Sequence, residues 1–192
     1  MQKLILIGGG GHCKSCIDVI EQENKYKIEG ILDCSNRIGQ MVLGYKIIGT
    51  DDDIEKYAKQ EFEFLITIGQ IQSPDIRIKL FEKIKSYNGK LAKIVSPLAY
   101  VSKHANIDLG TIIMHGAMVN AGAKIGKNCI INSKALIEHD CEIGDNCHIA
   151  IGATLAGEVI VEQNSFIGAN STLVQCLHLP PKSFIKAGTL VK

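Results

Sequence analysis

The chain has 192 residues, 46% of them hydrophobic, and a formal net charge of +1 at pH 7. This length and apolar fraction suffice for one large or two small domains with a buried core. A charge so close to zero, with no stripe of Lys or Arg, argues against a strong nucleic-acid partner. The apolar start is too short for a signal peptide and no later run reaches membrane-spanning length, so we expect a soluble cytoplasmic protein without membrane insertion.

Predicted strands and helices alternate over the first ninety residues. The last helix of this region has Ser73 as its cap, Pro74 in its first turn and Asn88-Gly89 at its end. Such alternation is typical of a small parallel α/β domain, so we assign residues 1–90 to a Rossmann-like domain. The predicted strands are 2–7, 28–32, 46–48 and 64–68, and the predicted helices are 13–23, a short one opened by Thr50, and 74–87.

A glycine-rich turn, residues 8–11, connects the first strand to the first helix. Backbone N–H groups and the positive end of a helix dipole meet at such a turn, which suits a phosphate or a pyrophosphate. Asp33 follows the second strand, about where a dinucleotide fold has its ribose-binding acid. The G-x-G-x-x-G pattern of dinucleotide-binding folds is incomplete here, because Cys13 stands at the position of the third glycine. A nicotinamide cofactor and a turn that only serves packing therefore remain alternatives.

Seven cysteines are present, and we expect them to be free. Cys129, Cys141 and Cys147 fall on small-residue positions of the repeat described next, where a compact buried side chain is the simplest interpretation. Cys13 and Cys16 form a C-x-x-C at the start of a predicted helix. Because no second pair accompanies it, we expect neither redox chemistry nor a metal site there.

From Val95 to Val191 every sixth residue is aliphatic, and a small residue follows most of these four positions later. A period of six fits neither a helix nor a simple strand, so the unit is a short strand plus a turn, stacked many times. Three units make one triangular coil, and coils about 4.8 Å apart give a rod on the order of 25 Å long. We assign residues 91–192 to this parallel β-helix, joined rigidly to the first domain. The aliphatic positions are Val95, Val101, Ile107, Ile113, Val119, Ile125, Ile131, Ile137, Ile143, Ile149, Leu155, Val161, Ile167, Leu173, Leu179, Ile185 and Val191.

Four features accompany the repeat: the G-x-x-G-H opening that ends at His12, the acid Asp33, the strand end 66–69 and the segment 132–157. Together they resemble the hexapeptide-repeat sugar acetyltransferases, which include the sialic-acid O-acetyltransferases and the bacillosamine and perosamine N-acetyltransferases. The resemblance implies a left-handed β-helix and an N-terminal domain that binds a nucleotide sugar. Cys34 stands where several relatives have a second acid, which leaves the nucleotide open. The substrate contacts implied are Gly8, Gly10, Gly11, His12, Asp33 and Gly69.

The sequence Ile137-Glu138-His139-Asp140 resembles the catalytic motif of that family. The resemblance makes His139 the general base and Asp140 the acid that orients it, and an imidazole is the natural proton acceptor near neutral pH. One coil is eighteen residues, so Gly157 stacks directly beyond His139. A glycine there leaves room for a thioester, and its N–H could stabilise the oxyanion.

The resemblance also implies a homotrimer that binds acetyl-CoA as co-substrate, with the pantetheine between adjacent β-helices. Relatives continue into a G-x-P-A-like tail, whereas this chain stops at Lys192, so the coenzyme pocket is either more open or completed by further residues. The H-x4-H pair of β-helix zinc enzymes is missing, and we expect no metal. The coenzyme contacts implied are His148, Gly157, Gly168, Ala169, Asn170 and Ala187.

These features predict an acetyl-CoA-dependent N-acetyltransferase for a nucleotide-linked amino sugar, with direct attack on the thioester. Two alternatives stay open. The same base could serve a sugar hydroxyl, as in sialic-acid O-acetylation. A β-helix that only binds a nucleotide sugar is the second alternative, and the His139-Asp140 and Gly157 pairing argues against it.

Overall fold

The computed structural model describes all 192 residues as an α/β domain followed by a parallel β-helix. The first domain has one sheet of six strands in the order β3-β4-β2-β1-β5-β6, in which only β3 is antiparallel to its neighbour. Its strands are β1 (Gln2–Ile7), β2 (Tyr26–Leu32), β3 (Met41–Val42), β4 (Tyr45–Gly49), β5 (Glu63–Ile66) and β6 (Lys90–Leu91). Its helices are α1 (Gly11–Glu23), α2 (Ile54–Lys59) and α3 (Asp75–Ser86).

The prediction and the structure differ at three places in this domain. The hairpin of β3 and β4 was not predicted, because its turn depends on Leu43 and Gly44, both at positive φ. A 3-10 turn at Asp51–Asp53 precedes α2, and Thr50 caps it as expected. β5 ends at Ile66 rather than at residue 68. Thr67 follows it, and both its N–H and its hydroxyl donate to the carbonyl of Ile7 at the end of β1.

The β-helix consists of two-residue strands in three parallel sheets, and strands eighteen residues apart are paired. Ile131 pairs with Ile149, and Ile137 pairs with Leu155. The aliphatic residue of each hexad points inward, and together these residues form one buried core with the small residues at the bends. The strands are β7 (Ile94–Val95), β8 (Tyr100–Val101), β9 (Asn106–Ile107), β10 (Ile112–Ile113), β11 (Met118–Val119), β12 (Lys124–Ile125), β13 (Ile130–Ile131), β14 (Leu136–Ile137), β15 (Glu142–Ile143), β16 (His148–Ile149), β17 (Thr154–Leu155), β18 (Ile160–Val161), β19 (Phe166–Ile167), β20 (Thr172–Leu173), β21 (His178–Leu179), β22 (Phe184–Ile185) and β23 (Leu190–Val191).

The first domain packs directly on one face of the β-helix, the face formed by β7, β10, β13, β16, β19 and β22. The outward residues Ile94, Ile112 and Ile130 of this face are buried in one cluster with Ile20 of α1. β6 ends at Leu91, and β7 begins only three residues later. This continuous packing leaves no linker that could let the two parts move independently.

Two simple properties of the chain follow from the same structure. All seven cysteines are free, and five of them are buried, including the three at small-residue positions of the repeat. No helix combines the length and apolarity needed to cross a membrane.

Candidate functional site

His139 and Asp140 lie at the corner of the β-helix that follows β14. Asp140 has a positive φ of 58°, which is the left-handed conformation that turns the chain at this corner. The two side chains are exposed, and Nδ1 of His139 is 3.0 Å from Oδ2 of Asp140. Because a carboxylate can only accept, Nδ1 carries the proton and the lone pair is on Nε2. The hydrogen bond to Asp140 also raises the pKa of His139, and desolvation opposes this shift.

Gly157 lies one coil beyond His139, directly under its imidazole. A methyl group built on Gly157 would come within 2.5 Å of Nε2 of His139, so no other residue fits without moving the ring. The N–H of Gly157 has no acceptor within the chain, whereas the next amide, of Glu158, donates to the carbonyl of His139 at 3.0 Å. A basic nitrogen and a free amide donor therefore occur together at one corner.

The carboxyl end of the first domain's sheet contains a cavity of about 520 Å³. Gly8 and Asp33 line it, and Gly8 has a φ of 101°, which favours glycine. Gly10 and Gly11 are exposed at the N-terminus of α1, and a methyl group on either would meet no atom within 4 Å. The cavity is lined by Ile7, Gly8, Leu32, Asp33, Cys34, Ser35, Thr50, Asp51, Asp52, Ile68, Ile76, Lys79 and Leu80.

Asp33 is held in place by groups of the chain itself. Its carboxylate accepts from the N–H groups of Gly9 and Cys34, at 2.8 and 2.7 Å, and forms an ion pair with Arg37. Desolvation by itself would raise the pKa of Asp33, but these N–H donors and Arg37 together lower it. Asp33 is thus a fixed anion at the rim of the glycine loop.

His12, Gly69 and His148 meet at the junction between the domain and the β-helix. A methyl group on Gly69 would lie 3.6 Å from Cβ of His12, and Nε2 of His12 is buried without a partner. His148 donates from Nδ1 to the carbonyl of Gln70 and accepts on Nε2 from the amide of Asn132 at 3.0 Å. Burial, aided by the charge of Arg77, lowers the pKa of each histidine to about 4, so both are neutral at pH 7.

The other expected coenzyme residues lie at a different corner, after β19 and β22. A methyl group on Gly168 would be 2.5 Å from the amide nitrogen of Ala187, so this glycine permits close stacking of two coils. Ala169 is partly buried, while Asn170 and Ala187 are exposed. The structure therefore brings His139, Asp140 and Gly157 together, and it separates them from the cavity beside Asp33 and from the junction around His148.

The sequence interpretation missed Arg77, Gln70 and Asn128, which connect the two parts of the chain. Arg77 is 1% exposed and lies on the buried face of α3 with Leu80, Phe81 and Ile84. The sequence did contain a sign of this contact: Arg77 lies on the apolar stripe of an amphipathic helix, and a charge there needs buried partners. Burial lowers its pKa to about 10, which still leaves it charged at neutral pH.

Residues 3–84 match the family of the PglD N-terminal domain, and residues 140–175 match the family of the bacterial transferase hexapeptide, which has six repeats. The acetyltransferase domain of PglB from Neisseria gonorrhoeae is similar over 100% of this chain and 92% of its own, with a TM-score of 0.89 and 28% identity. The same domain in complex with acetyl coenzyme A has a TM-score of 0.84 at 27% identity, covering 99% and 95% of the two chains.

PerB from Caulobacter crescentus, in complex with CoA and GDP-perosamine, has a TM-score of 0.76 at 26% identity, covering 99% of this chain and 93% of its own. An uncharacterised protein of Acanthamoeba polyphaga mimivirus is 37% identical over 108 residues, or 56% of this chain, and the chain spans 20% of that relative's length. The order of the two family matches and the similarity over the full chain agree with the resemblance read from the motifs. The two family matches and the full-length structural similarity support the NeuD/PglD-like family for this chain.

Proposed function

We propose that the protein transfers an acetyl group from acetyl-CoA to an amino group of a nucleotide-linked amino sugar, in the synthesis of a surface glycan in the cytoplasm. The observation that carries the proposal is the corner where Nε2 of His139 lies against Gly157 while Nδ1 is bonded to Asp140. The similar PglB domain binds acetyl coenzyme A and the similar PerB binds GDP-perosamine, which supports this donor and this class of acceptor.

The chemistry follows from the roles of these three residues. The sugar nitrogen attacks the thioester carbonyl, and Nε2 of His139 accepts the proton that the nitrogen loses. The N–H of Gly157 donates to the carbonyl oxygen as it gains negative charge, a contribution on the order of 3–4 kcal/mol. The C–S bond then breaks, the CoA thiolate leaves, and Nε2 of His139 gives up the proton to it. Asp140 keeps the proton on Nδ1 throughout, so Nε2 stays available.

The N-terminal cavity is the proposed site of the nucleotide. Gly10 and Gly11 offer backbone amides at the start of α1 for the phosphates. Gly8 lines the cavity while its own N–H donates to the carbonyl of Leu32, and Asp33 lies at the rim for the ribose or the base. We place His12 and Gly69 on the sugar side, where Nε2 of His12 lacks a partner within the chain. We also propose that acetyl-CoA contacts the residues that the family resemblance implies, which are His148, Gly157, Gly168, Ala169, Asn170 and Ala187.

We further propose that the protein is a homotrimer. The face formed by β8, β11, β14, β17, β20 and β23 is not covered by the first domain, and its outward residues include Tyr100, Met118 and Leu190, each 42–56% exposed. The column also contains Thr154 and Thr172. Exposed apolar side chains grouped on one face are typical of a subunit interface. His139 follows β14 of this face, so a neighbouring subunit would lie beside the catalytic corner.

The experiment is to mix the protein with acetyl-CoA and a panel of UDP-, GDP-, dTDP- and CMP-linked amino sugars, and to detect an acetylated product by mass. We expect one nucleotide class to be acetylated, and we expect His139→Ala to reduce kcat by about 10²–10⁴-fold. His178→Ala is the matched control, because His178 is an exposed histidine on another face of the β-helix. Full activity of the His139 variant, or no product with any sugar, contradicts the proposal.

A further inference from the structure

Arg77 connects the end of β5 to a corner of the β-helix through a single buried guanidinium. Its Nη1 donates to the carbonyls of Ile66 and Ile68, both at 2.8 Å. Its Nη2 donates to the carbonyl and to Oδ1 of Asn128, at 3.0 and 2.8 Å. These oxygens share the charge without any acidic residue, which is how a planar guanidinium can be accommodated in a buried site.

The Asn128 side of this contact is rigid. Asn128 is fully buried with a φ of 54°, and its N–H donates to the carbonyl of Leu109 at 2.9 Å. Its side-chain amide donates to Asn146 at 2.9 Å, and Asn146 donates in turn to Asn164 at 3.1 Å. The three asparagines form a ladder along one corner, so the acceptor of Arg77 is fixed by three successive coils.

The other side of the contact belongs to the wall of the nucleotide cavity. Ile68, whose carbonyl accepts from Arg77, lines that cavity, and Gly69 lies against His12. Gln70 adds a parallel contact, since its side-chain amide donates to the carbonyl of Asn146 at 3.0 Å. The segment 66–70 is therefore attached to the β-helix on one side and forms part of the cavity on the other.

We propose that Arg77 is a positioning residue for acetyl transfer, which holds the cavity wall to Asn128 and so sets where the bound sugar lies relative to the β-helices that carry His139. This rests on the proposed function. The role follows from geometry: a shift of about 1 Å in a reacting group can reduce the rate on the order of 10²-fold, even when binding is unchanged.

Asn128→Gly tests this from the side that does not touch the cavity. Glycine keeps the left-handed backbone but removes the Oδ1 acceptor and the ladder bond. We expect kcat to fall by about tenfold or more, while the Kd for the nucleoside diphosphate and the KM for acetyl-CoA stay within about twofold. Lys134→Gly is the matched control, since Lys134 occupies the equivalent turn position with a φ of 59° and is exposed. We expect it to retain wild-type kcat.

Arg77→Lys is the second variant, because lysine keeps the charge but lacks the planar fork that reaches both sides. We expect a larger fall in kcat than in Asn128→Gly, measured at a temperature where circular dichroism shows that the variant is folded. Wild-type kcat in both folded variants overturns the proposal. A rise in the nucleotide Kd that matches the fall in kcat for Asn128→Gly also overturns it, since Arg77 would then act on binding alone.

Hydrogen exchange separates this proposal from the proposed function. Faster exchange of the amides of residues 66–70 in Asn128→Gly than in Lys134→Gly supports the positioning role, even if the wild-type protein acetylates no amino sugar. Equal exchange in the two variants overturns it. If the wild-type protein is active and Asn128→Gly keeps its kcat, the function stands and the role of Arg77 does not.

Discussion

At the scale of single residues, Asp140 controls the proton affinity of His139. Its carboxylate accepts from Nδ1 and raises the pKa of the imidazole. In the proposed mechanism the imidazole must be unprotonated, so we expect activity to fall as the pH drops through that pKa. Aspartate and asparagine both tolerate the left-handed φ of this position, so Asn is a suitable replacement.

We predict that Asp140→Asn moves the acidic limb of the kcat profile to lower pH and lowers the plateau. The pKa of His139 falls when the negative partner is lost, and a weaker base accepts the amine proton less readily. The measurement is kcat from pH 5 to pH 9, with Glu142→Gln as the control, because Glu142 is an exposed acid on another face that pairs with Lys124. An unchanged acidic limb would mean that Asp140 does not set this pKa.

Gly157→Ala tests the packing at the same corner. The added methyl group would lie 2.5 Å from Nε2 of His139, so the ring must move away from the proposed reacting position. We predict a fall in kcat of about 10²-fold with little change in the thermal midpoint, because the corner is on the surface. Gln175→Ala, at the equivalent position of the next coil, is the control. Equal kcat in the two variants would remove the steric argument for glycine.

At the scale of elements, the junction buries two neutral histidines. Burial lowers the pKa of His12 and of His148 from 6.5 to about 4, so the unfolded chain binds more protons than the folded one between these values. The contribution of these two histidines to the free energy of unfolding is therefore fully present above pH 6.5 and decreases as the pH falls toward 4.

We predict that His12→Phe makes the thermal midpoint less sensitive to pH over this range than it is in the wild-type protein. Phenylalanine fills a similar space without a titrating group, and His148 still makes stability depend on pH to some extent. The measurement is the unfolding midpoint at several pH values from 4 to 7. His178→Asn, which changes an exposed histidine, serves as the control. A variant with the acid sensitivity of the wild-type protein would show that His12 is not the group that titrates.

At the scale of the whole molecule, the three faces of the β-helix have different surfaces. One is covered by the first domain through Ile94, Ile112 and Ile130. A second carries the polar pair of Lys124 and Glu142 and stays solvated. The third is the exposed apolar column on which the proposed trimer rests.

We predict that Met118→Glu dissociates the protein into folded monomers with little acetyltransferase activity. A carboxylate in this interface would be desolvated without a partner, which disfavours association. Sedimentation measures the mass, and we expect three chains for the wild-type protein. Lys124→Glu, which alters the polar face by a larger change of charge, should leave the mass unchanged. A trimer that survives Met118→Glu would point to another interface.

The hexad period by itself determined the β-helix, because an inward aliphatic residue at each sixth position leaves no other way to bury the chain. The stacking of Gly157 on His139 also followed from the period, since eighteen residues make one coil. The glycine loop and the alternation of elements likewise indicated the first domain. These patterns involve residues close together in the sequence or at a fixed spacing, so they could be recognised without knowing which distant residues come into contact.

Only the tertiary structure decided how the domain lies on the β-helix. The early end of β5 and the burial of Arg77 depend on groups far apart in the chain, such as Asn128 for Arg77. The position of His148 is of the same kind, because its ring nitrogens bind Gln70 and Asn132 rather than solvent. Contacts across 51 or 78 residues leave no periodic trace in the sequence, since each needs only one suitable residue on either side.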